Sequence, residues 1–248
     1  MKALITGASS GLGKDMALYL GKKGYDLIIV GRNKDRLQEV KDNVKTNVEI
    51  IQMDISKEEN CIELYSRAKD ADIVINNAGF GTFGNFIETD LEEEINMIKT
   101  NITAVHILTK LYMQEMVKKD RGYILNVSSI AGFLPGPLMA TYYSTKAYVL
   151  RLTQGLQEEL TKQKSNVKIS VLCPGPTQTD FLRRAGVAFN TKSASCPYVA
   201  EYAVDQMLKG KKIIIPTFKI KLAAKLCKIT PDKLLAKFAY GVQKKREK

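Results

Sequence analysis

Residues 2–13 read KALITGASSGLG, and the architecture of the whole chain follows from how that stretch divides. Lys2 to Thr6 is a short buried strand, and Gly7 to Gly13 a glycine-rich turn opening a helix that runs to about Lys23. A second strand, Tyr25 to Val30, follows at once and completes a βαβ unit. In the spacing G-x-x-x-G-x-G the glycines let backbone NH groups approach a phosphate at a helix N-terminus, where unpaired amides and the dipole favour anions.

The alternation continues down the chain. Strands are expected at Val48 to Met53, Asp72 to Ile75, 122–127, 167–172 and 212–215, with helices at 57–69, about 90–119 and 142–164. About seven strands separated by helices demand an α/β fold: a Rossmann-like doubly wound parallel sheet covered on both faces, three layers in all. Such sheets bind ligands outside the carboxyl ends of their strands, near the point where strand order reverses. Asp54 and Ile55, and the turn Asn76-Asn77-Ala78-Gly79, land there.

The second strand runs into GRNKDRL. Where an acid would hold a ribose 2′-hydroxyl, this chain has Gly31 and Arg32, and an arginine there suits a 2′-phosphate. NADP(H) is therefore favoured over NAD(H). Asp35, inside the next helix, is the weaker ribose candidate.

Residues 141–150, TYYSTKAYVL, carry the chemistry. On a helix, Tyr142 and Lys146 lie on one face, about 5–6 Å apart at Cβ. A phenol with an ordinary pKa of about 10 beside an ammonium is a proton donor whose pKa the cation is expected to lower. Tyr143 could shift the assignment by one residue, but only Tyr142 sits four before Lys146. Thirteen residues upstream of Tyr142 the strand-like run YILNVSS ends at Ser129, whose hydroxyl can hold the oxygen that receives the proton. A Tyr four before a Lys is also a common surface pair, and the rest of the chain decides against that reading.

With 248 residues, 45% hydrophobic and 26% charged, the composition is that of a soluble domain with a full α/β core. The first residues hold too short an apolar run for a signal peptide, and no stretch approaches a membrane span, so a cytoplasmic location is expected. Cys61, Cys173, Cys196 and Cys227 are far apart and His106 is the single histidine, which argues against disulfides and metal; His106 is expected in the core or at an interface.

The net charge of +12 belongs to the end of the chain: residues 209–248 hold 13 Lys/Arg against 2 Asp/Glu, the first 208 residues 25 against 24. Residues 1–216 are expected to form the dinucleotide-binding and catalytic domain, and 217–248 a basic amphipathic helical extension that is not an independent domain. Its apolar stripes, Leu222, Ala223, Leu226 and Cys227, then Leu234, Leu235, Phe238 and Val242, suit packing on the body or on a partner subunit, or peripheral contact with an anionic membrane. Nucleic acid is excluded, since no aromatics are interleaved for stacking. A hydrophobic small-molecule substrate is expected among Phe80, Phe83, Phe86, Leu134, Leu138, Met139 and the lid-like stretch Phe181 to Cys196, with Arg183 and Arg184 on the lid.

The motifs TGASSGLG at 6–13, Asp54, NNAG at 76–79, Asn101, Ser129, the Tyr142/Lys146 Y-x-x-x-K and PGPTQT at 174–179 stand in one order, and in that order the chain resembles a short-chain dehydrogenase/reductase from residue 1 to about 216. The resemblance implies an NADP(H)-dependent enzyme interconverting a ketone and a secondary alcohol by hydride transfer, with Asn101, Ser129, Tyr142 and Lys146 as a catalytic tetrad. It implies that Gly7, Ser9, Ser10, Gly11, Leu12 and Gly13 cradle the pyrophosphate and adenosine ribose, that Arg32 holds the 2′-phosphate, and that Asp54 and Ile55 flank the adenine. Asn76 and Ala78 would pass beneath the cofactor and Gly79 would leave it space, while Pro174, Gly175, Thr177 and Thr179 would set its carboxamide. Pro176 and Thr177 depart from the usual pattern of that last motif. Homodimers or homotetramers built on the helices at 93–119 and 142–164 are implied as well. A 3-oxoacyl-thioester reductase of lipid metabolism and a non-catalytic NADP(H)-binding regulator are the alternatives.

Overall fold

The computed structural model describes residues 1–177 and 194–244. Strands β1 (Lys2–Thr6), β2 (Asp26–Gly31), β3 (Val48–Gln52), β4 (Ile73–Asn76), β5 (Tyr123–Val127), β6 (Lys168–Leu172) and β7 (Ile213–Ile214) form one sheet in the order β3-β2-β1-β4-β5-β6-β7. Every pairing is parallel. Each strand falls within one residue of its expected ends, because near-continuous apolar runs bounded by turn residues leave little choice of register.

Side-chain alternation along β1 separates two cores. Ala3 and Ile5 face one side, where Met16, Ala17 and Leu20 of helix α1 (Gly11–Lys22) and Leu37 and Val40 of α2 (Lys34–Asp42) pack. Leu4 faces the other, against Cys61 and Leu64 of α3 (Glu58–Arg67) and Leu108, Tyr112 and Met116 of α5 (Ala104–Lys119). The expected three layers are thus present. The strand order reverses between β1 and β4, and both strands end at the same edge, which fixes where a ligand binds.

Four local features differ from the expectation. The long helix expected over 90–119 is α4 (Leu91–Ile98), a five-residue π-helical turn (Lys99–Thr103) and then α5. The wider turn carries Asn101, consistent with the tendency of π-bulges to sit at functional sites. Helix α6 (Ala140–Lys162) begins two residues early. An additional helix, α7 (Cys196–Leu208), covers the first core; its Val199, Ala200, Ala203, Val204 and Met207 were in helical spacing, behind a first-turn proline, Pro197. His106 is not a core residue: it is exposed, with Nδ1 2.7 Å from the Tyr148 hydroxyl.

Beneath the site, buried polar side chains tie four elements together. The Asn76 amide donates to Thr109 Oγ1 (3.1 Å) and Asn126 Oδ1 (2.8 Å), and Asn126 donates to Thr153 Oγ1 (3.0 Å). Each such bond contributes about 1 kcal/mol net, whereas an orphaned partner costs about 1–3 kcal/mol.

The basic extension forms two helices, α8 (Phe218–Leu226) and α9 (Asp232–Lys244). Leu235, Ala239 and Gln243, four residues apart on α9, are buried, as is Ala224 of α8. Among the described residues no helix is long and apolar enough to cross a membrane.

Candidate active site

The first turn brings the chain over the end of β1. Gly7 has φ +66°, and a Cβ there would lie 2.8 Å from Ala78 Cα; a Cβ on Gly13 would lie 2.3 Å from the Gly7 carbonyl oxygen. Only glycine permits both the backbone conformation and the approach. Gly13 is therefore a packing residue beneath the loop and does not line the cavity, whereas Gly7, Ser9, Ser10, Gly11 and Leu12 do. Ser10 caps α1 without a side-chain hydrogen bond, which leaves the first-turn amides and the helix dipole to meet an anion that binds there.

One cavity of about 490 Å³ runs from this loop to the tyrosine. At one end stand Arg32 and, one turn later, Arg36; Asn33 caps α2 by accepting from the Arg36 amide at 2.9 Å. Asp54 and Ile55 line it beside them, with Asp54 Oδ1 accepting from the Ser56 amide (3.0 Å). Ala78 and Gly79 follow, then Ser129, Tyr142, Lys146, Pro174, Gly175 and Thr177. Thr179, with Arg183, Arg184 and most of the stretch from Phe181 to Cys196, lies outside the described residues.

Asn76 requires a correction. It ends β4 with its side chain buried in the polar network below, and it is Asn77 that reaches the cavity. Asn77 Nδ2 donates to the carbonyls of Thr6 (3.0 Å) and Gly7 (3.2 Å), while Thr6 Oγ1 accepts from the amides of Asn77 (3.0 Å) and Ala78 (3.2 Å). These bonds lock the β1 and β4 turns together; Thr6 was not singled out in the sequence.

At the reacting end, Ser129 caps a 3₁₀ turn (Ile130–Phe133), accepting from the Ala131 amide at 3.1 Å, and shares a hydrogen bond with the Tyr142 phenol. Lys146 is 5% exposed, and its ammonium donates to the Val127 carbonyl at 3.0 Å and lies 5.8 Å from the Tyr142 ring centroid. Burial pushes Lys146 down to about 8 from its ordinary 10.5. Burial pushes Tyr142 well above 10, with the Ser129 hydrogen bond opposing it. The expected lowering of the phenol by Lys146 is thus not what governs it: among the protein's own groups desolvation dominates, with Ser129 the opposing influence, and Tyr142 is held protonated, as a proton donor must be.

Asn101 is fully buried behind the cavity. Its amide donates to the Phe80 carbonyl (2.9 Å) and Thr145 Oγ1 (3.0 Å), and its Oδ1 accepts from the Phe80 amide (3.1 Å). A Cβ on Gly79 would sit 2.8 Å from Asn101 Oδ1 and 3.3 Å from Lys146 Nζ, so Asn101 and Lys146 converge on that glycine. The side chain of Asn101 anchors the loop that carries Phe80 and ties it to Thr145 of α6.

On the substrate side Phe80 and Met139 line the cavity, and Phe83 packs with Met139, Tyr142 and Tyr143. Phe86, by contrast, is exposed on the surface. Gln243, from the far end of the chain, also lines the cavity, and no local pattern in the sequence announces it. The thiols of Cys61, Cys173 and Cys196 are each pushed up by burial to about 12, which removes them as nucleophiles. Among the described residues no group of three His, Cys, Asp or Glu side chains could hold a metal.

The glycine cradle at a long helix's N-terminus, the paired arginines and the continuous cavity fit a phosphorylated dinucleotide. Comparison with known proteins agrees with this architecture. The short chain dehydrogenase family model matches residues 1–187. An uncharacterized oxidoreductase of Staphylococcus aureus (strain MRSA252) is 34% identical over 182 residues, covering 71% of this chain and 78% of that protein. A short-chain dehydrogenase from Sphingobium yanoikuyae, solved in complex with NADPH, superposes with a TM-score of 0.83 at 29% identity over 91% of each chain. The bulky-bulky ketone specific alcohol dehydrogenase from Comamonas testosteroni does so with a TM-score of 0.78 at 26% identity over 92% of each. A match over most of its length, with the motifs converging on one cavity, places this chain in the short-chain dehydrogenase/reductase family of oxidoreductases.

Proposed function

We propose that this protein is an NADP(H)-dependent oxidoreductase that interconverts a hydrophobic ketone and its secondary alcohol, with Tyr142 as the acid/base. The observation that carries the reading is the single cavity joining Arg32, the Gly7–Leu12 loop and the Ser129, Tyr142 and Lys146 group. The likeness to a protein solved with NADPH supports the cofactor, and the two arginines support its 2′-phosphate. When bound, the nicotinamide supplies or accepts the hydride.

The chain's own residues do the rest. As negative charge develops on the carbonyl oxygen, the Tyr142 hydroxyl transfers its proton there and the Ser129 hydroxyl donates a hydrogen bond to the same atom. A donor fixed in advance is worth about 10²–10³ in rate in comparable oxyanion sites. Lys146 would hold the nicotinamide ribose, and its charge would stabilise the phenolate that remains. Asn101 positions the Phe80 loop and the Thr145 turn of α6. The Gly7–Gly13 loop would hold the pyrophosphate, Asp54 and Ile55 the adenine, and Pro174 to Thr177 the carboxamide.

A bulky ketone suits the apolar wall of Phe80 and Met139, and the likeness to an alcohol dehydrogenase for bulky ketones points the same way. Exposed Leu91 and Ile95 on α4 and Tyr148 on α6 support a homodimer or homotetramer built on those helices. Phe218, Leu222, Leu226, Ile229, Leu234 and Phe238 are exposed among lysines of α8 and α9, which supports peripheral contact with an anionic membrane. We place the activity in the cytoplasm, where unpaired thiols such as its four persist. The test is coenzyme oxidation across aliphatic, aryl and steroid ketones and acyl thioesters: ketone-dependent oxidation of NADPH in preference to NADH is expected, and no turnover with any carbonyl would overturn the reading.

A further inference from the structure

Helix α9 reaches the cavity through one residue, Gln243. On the buried face of α9, Leu235 and Ala239 are followed by Gln243, a polar residue where packing alone would call for an apolar one. Gln243 is 1% exposed, lines the cavity, and donates from Nε2 to the Tyr143 hydroxyl at 2.7 Å, a bond between residues one hundred apart. Tyr143 meets Tyr142 edge-on, with ring centroids 6.0 Å apart at 78°, and packs beside Phe83 and Met139. It also covers Gly136, where a Cβ would fall 2.0 Å from its ring. The other helix of the extension reaches the same region, since Ile220 of α8 fills the space that a Cβ on Gly175 would need.

We infer that Gln243 is a specificity-determining positioning residue: through the Tyr143 hydroxyl it fixes the ring that walls the substrate side of the cavity, so the C-terminal extension sets the size of ketone accepted. The statement about ketone size rests on the proposed carbonyl chemistry; the coupling between Gln243 and Tyr143 does not. A buried amide-to-phenol bond selects one orientation of the ring, and Gly136 leaves that orientation the room it needs. Without the bond the ring can turn, and the wall that presses on a small substrate is lost. A change of one or two methylenes' worth of space discriminates between substrates by about 10- to 200-fold.

The experiment compares wild type, Gln243→Leu, Tyr143→Phe and the double variant at saturating NADPH, with cyclohexanone and benzophenone as small and bulky ketones. Hydrogen exchange over residues 136–145 is followed in parallel without substrate. In either single variant KM for cyclohexanone is expected to rise about tenfold, and the ratio of kcat/KM for benzophenone to that for cyclohexanone at least several-fold. The double variant should be no worse than either single one, NADPH affinity should be unchanged, and exchange over 136–145 should rise. An unchanged ketone ratio in both folded single variants, or additive effects in the double variant, would overturn the inference. Unchanged exchange over 136–145 in Gln243→Leu would also overturn it, whether or not any ketone is turned over. Should Gln243→Leu fail to fold, Tyr143→Phe removes the same hydrogen bond and carries the test. Absence of wild-type turnover with an intact exchange response would sink the carbonyl chemistry alone.

Discussion

The Lys146 ammonium donates to the Val127 carbonyl at 3.0 Å, at the end of β5, and lies 5.8 Å from the centre of the Tyr142 ring. A charge so buried has a consequence for stability. Lys146 has a pKa of about 8 in the folded chain against an ordinary 10.5, so between those values the unfolded chain holds the proton more firmly. Below pH 8 the folded state bears the full cost of the buried charge; as pH rises from 8 toward 10.5 that cost is relieved. Wild type should therefore gain about 2 to 3 kcal/mol relative to Lys146→Met between pH 7 and 10, in denaturant unfolding without coenzyme. A flat difference across that window would contradict the assignment.

Tyr142→Phe should lower turnover by about 10²- to 10⁴-fold, the range for removing a general acid. NADPH affinity, read by fluorescence titration, should stay within about threefold of wild type, since the lost hydroxyl contributes at most one hydrogen bond to the coenzyme. Because burial raises the Tyr142 pKa, ketone reduction should be flat through neutral pH and alcohol oxidation should climb on the alkaline side. Full activity in the variant would reject the mechanism.

Arg32 and Arg36 stand together at the adenosine end of the cavity. Replacing Arg32 by Ala should weaken NADPH binding by about 10- to 100-fold, the scale of one lost charge-assisted contact, and leave NADH binding nearly unchanged. Equal losses for both coenzymes would remove the case for 2′-phosphate recognition.

Asn76 belongs to the scaffold. Asn76→Ala removes two buried hydrogen bonds, while Thr109 Oγ1 still donates to Asn126 Oδ1 (3.1 Å), and should destabilise the fold by about 1 to 3 kcal/mol, while coenzyme affinity in the folded fraction changes little. Thermal unfolding and coenzyme titration on the same sample separate the two effects; a large loss of affinity with an unchanged melting temperature would return Asn76 to the cofactor site.

Phe218 is 80% exposed, and Leu222 and Leu226 continue its stripe among lysines. Truncating the extension would also strip Leu235, Ala239 and Gln243 from the body, so the informative variant is Phe218→Ser with Leu222→Ser, both on the surface. Wild type should co-sediment with phosphatidylglycerol vesicles and less so with phosphatidylcholine or at high salt, each lysine near the surface contributing about 1 kcal/mol. The double serine variant should sediment markedly less. Equal recovery of both proteins would dismiss the membrane contact.

How much was legible in advance can be argued from particular residues. KALIT and YDLIIV can only be buried strands, and the glycines between them mark the one turn where backbone must approach backbone, so the sheet and its ligand edge were readable from local pattern. Tyr142 and Lys146 were readable for the same reason, since a helix fixes i and i+4 on one face. Local pattern alone did not specify which group governs the phenol's pKa, that Asn76 turns inward while Asn77 turns toward the cavity, or that Gln243 meets Tyr143. Those depend on burial and on side chains from distant segments meeting, and sequence spacing carries no information about either. The chain by itself determined the layers, the order of the site motifs and the type of chemistry; the folded molecule decided which atoms face the cavity, because desolvation and long-range hydrogen bonds exist only once the layers have closed on one another.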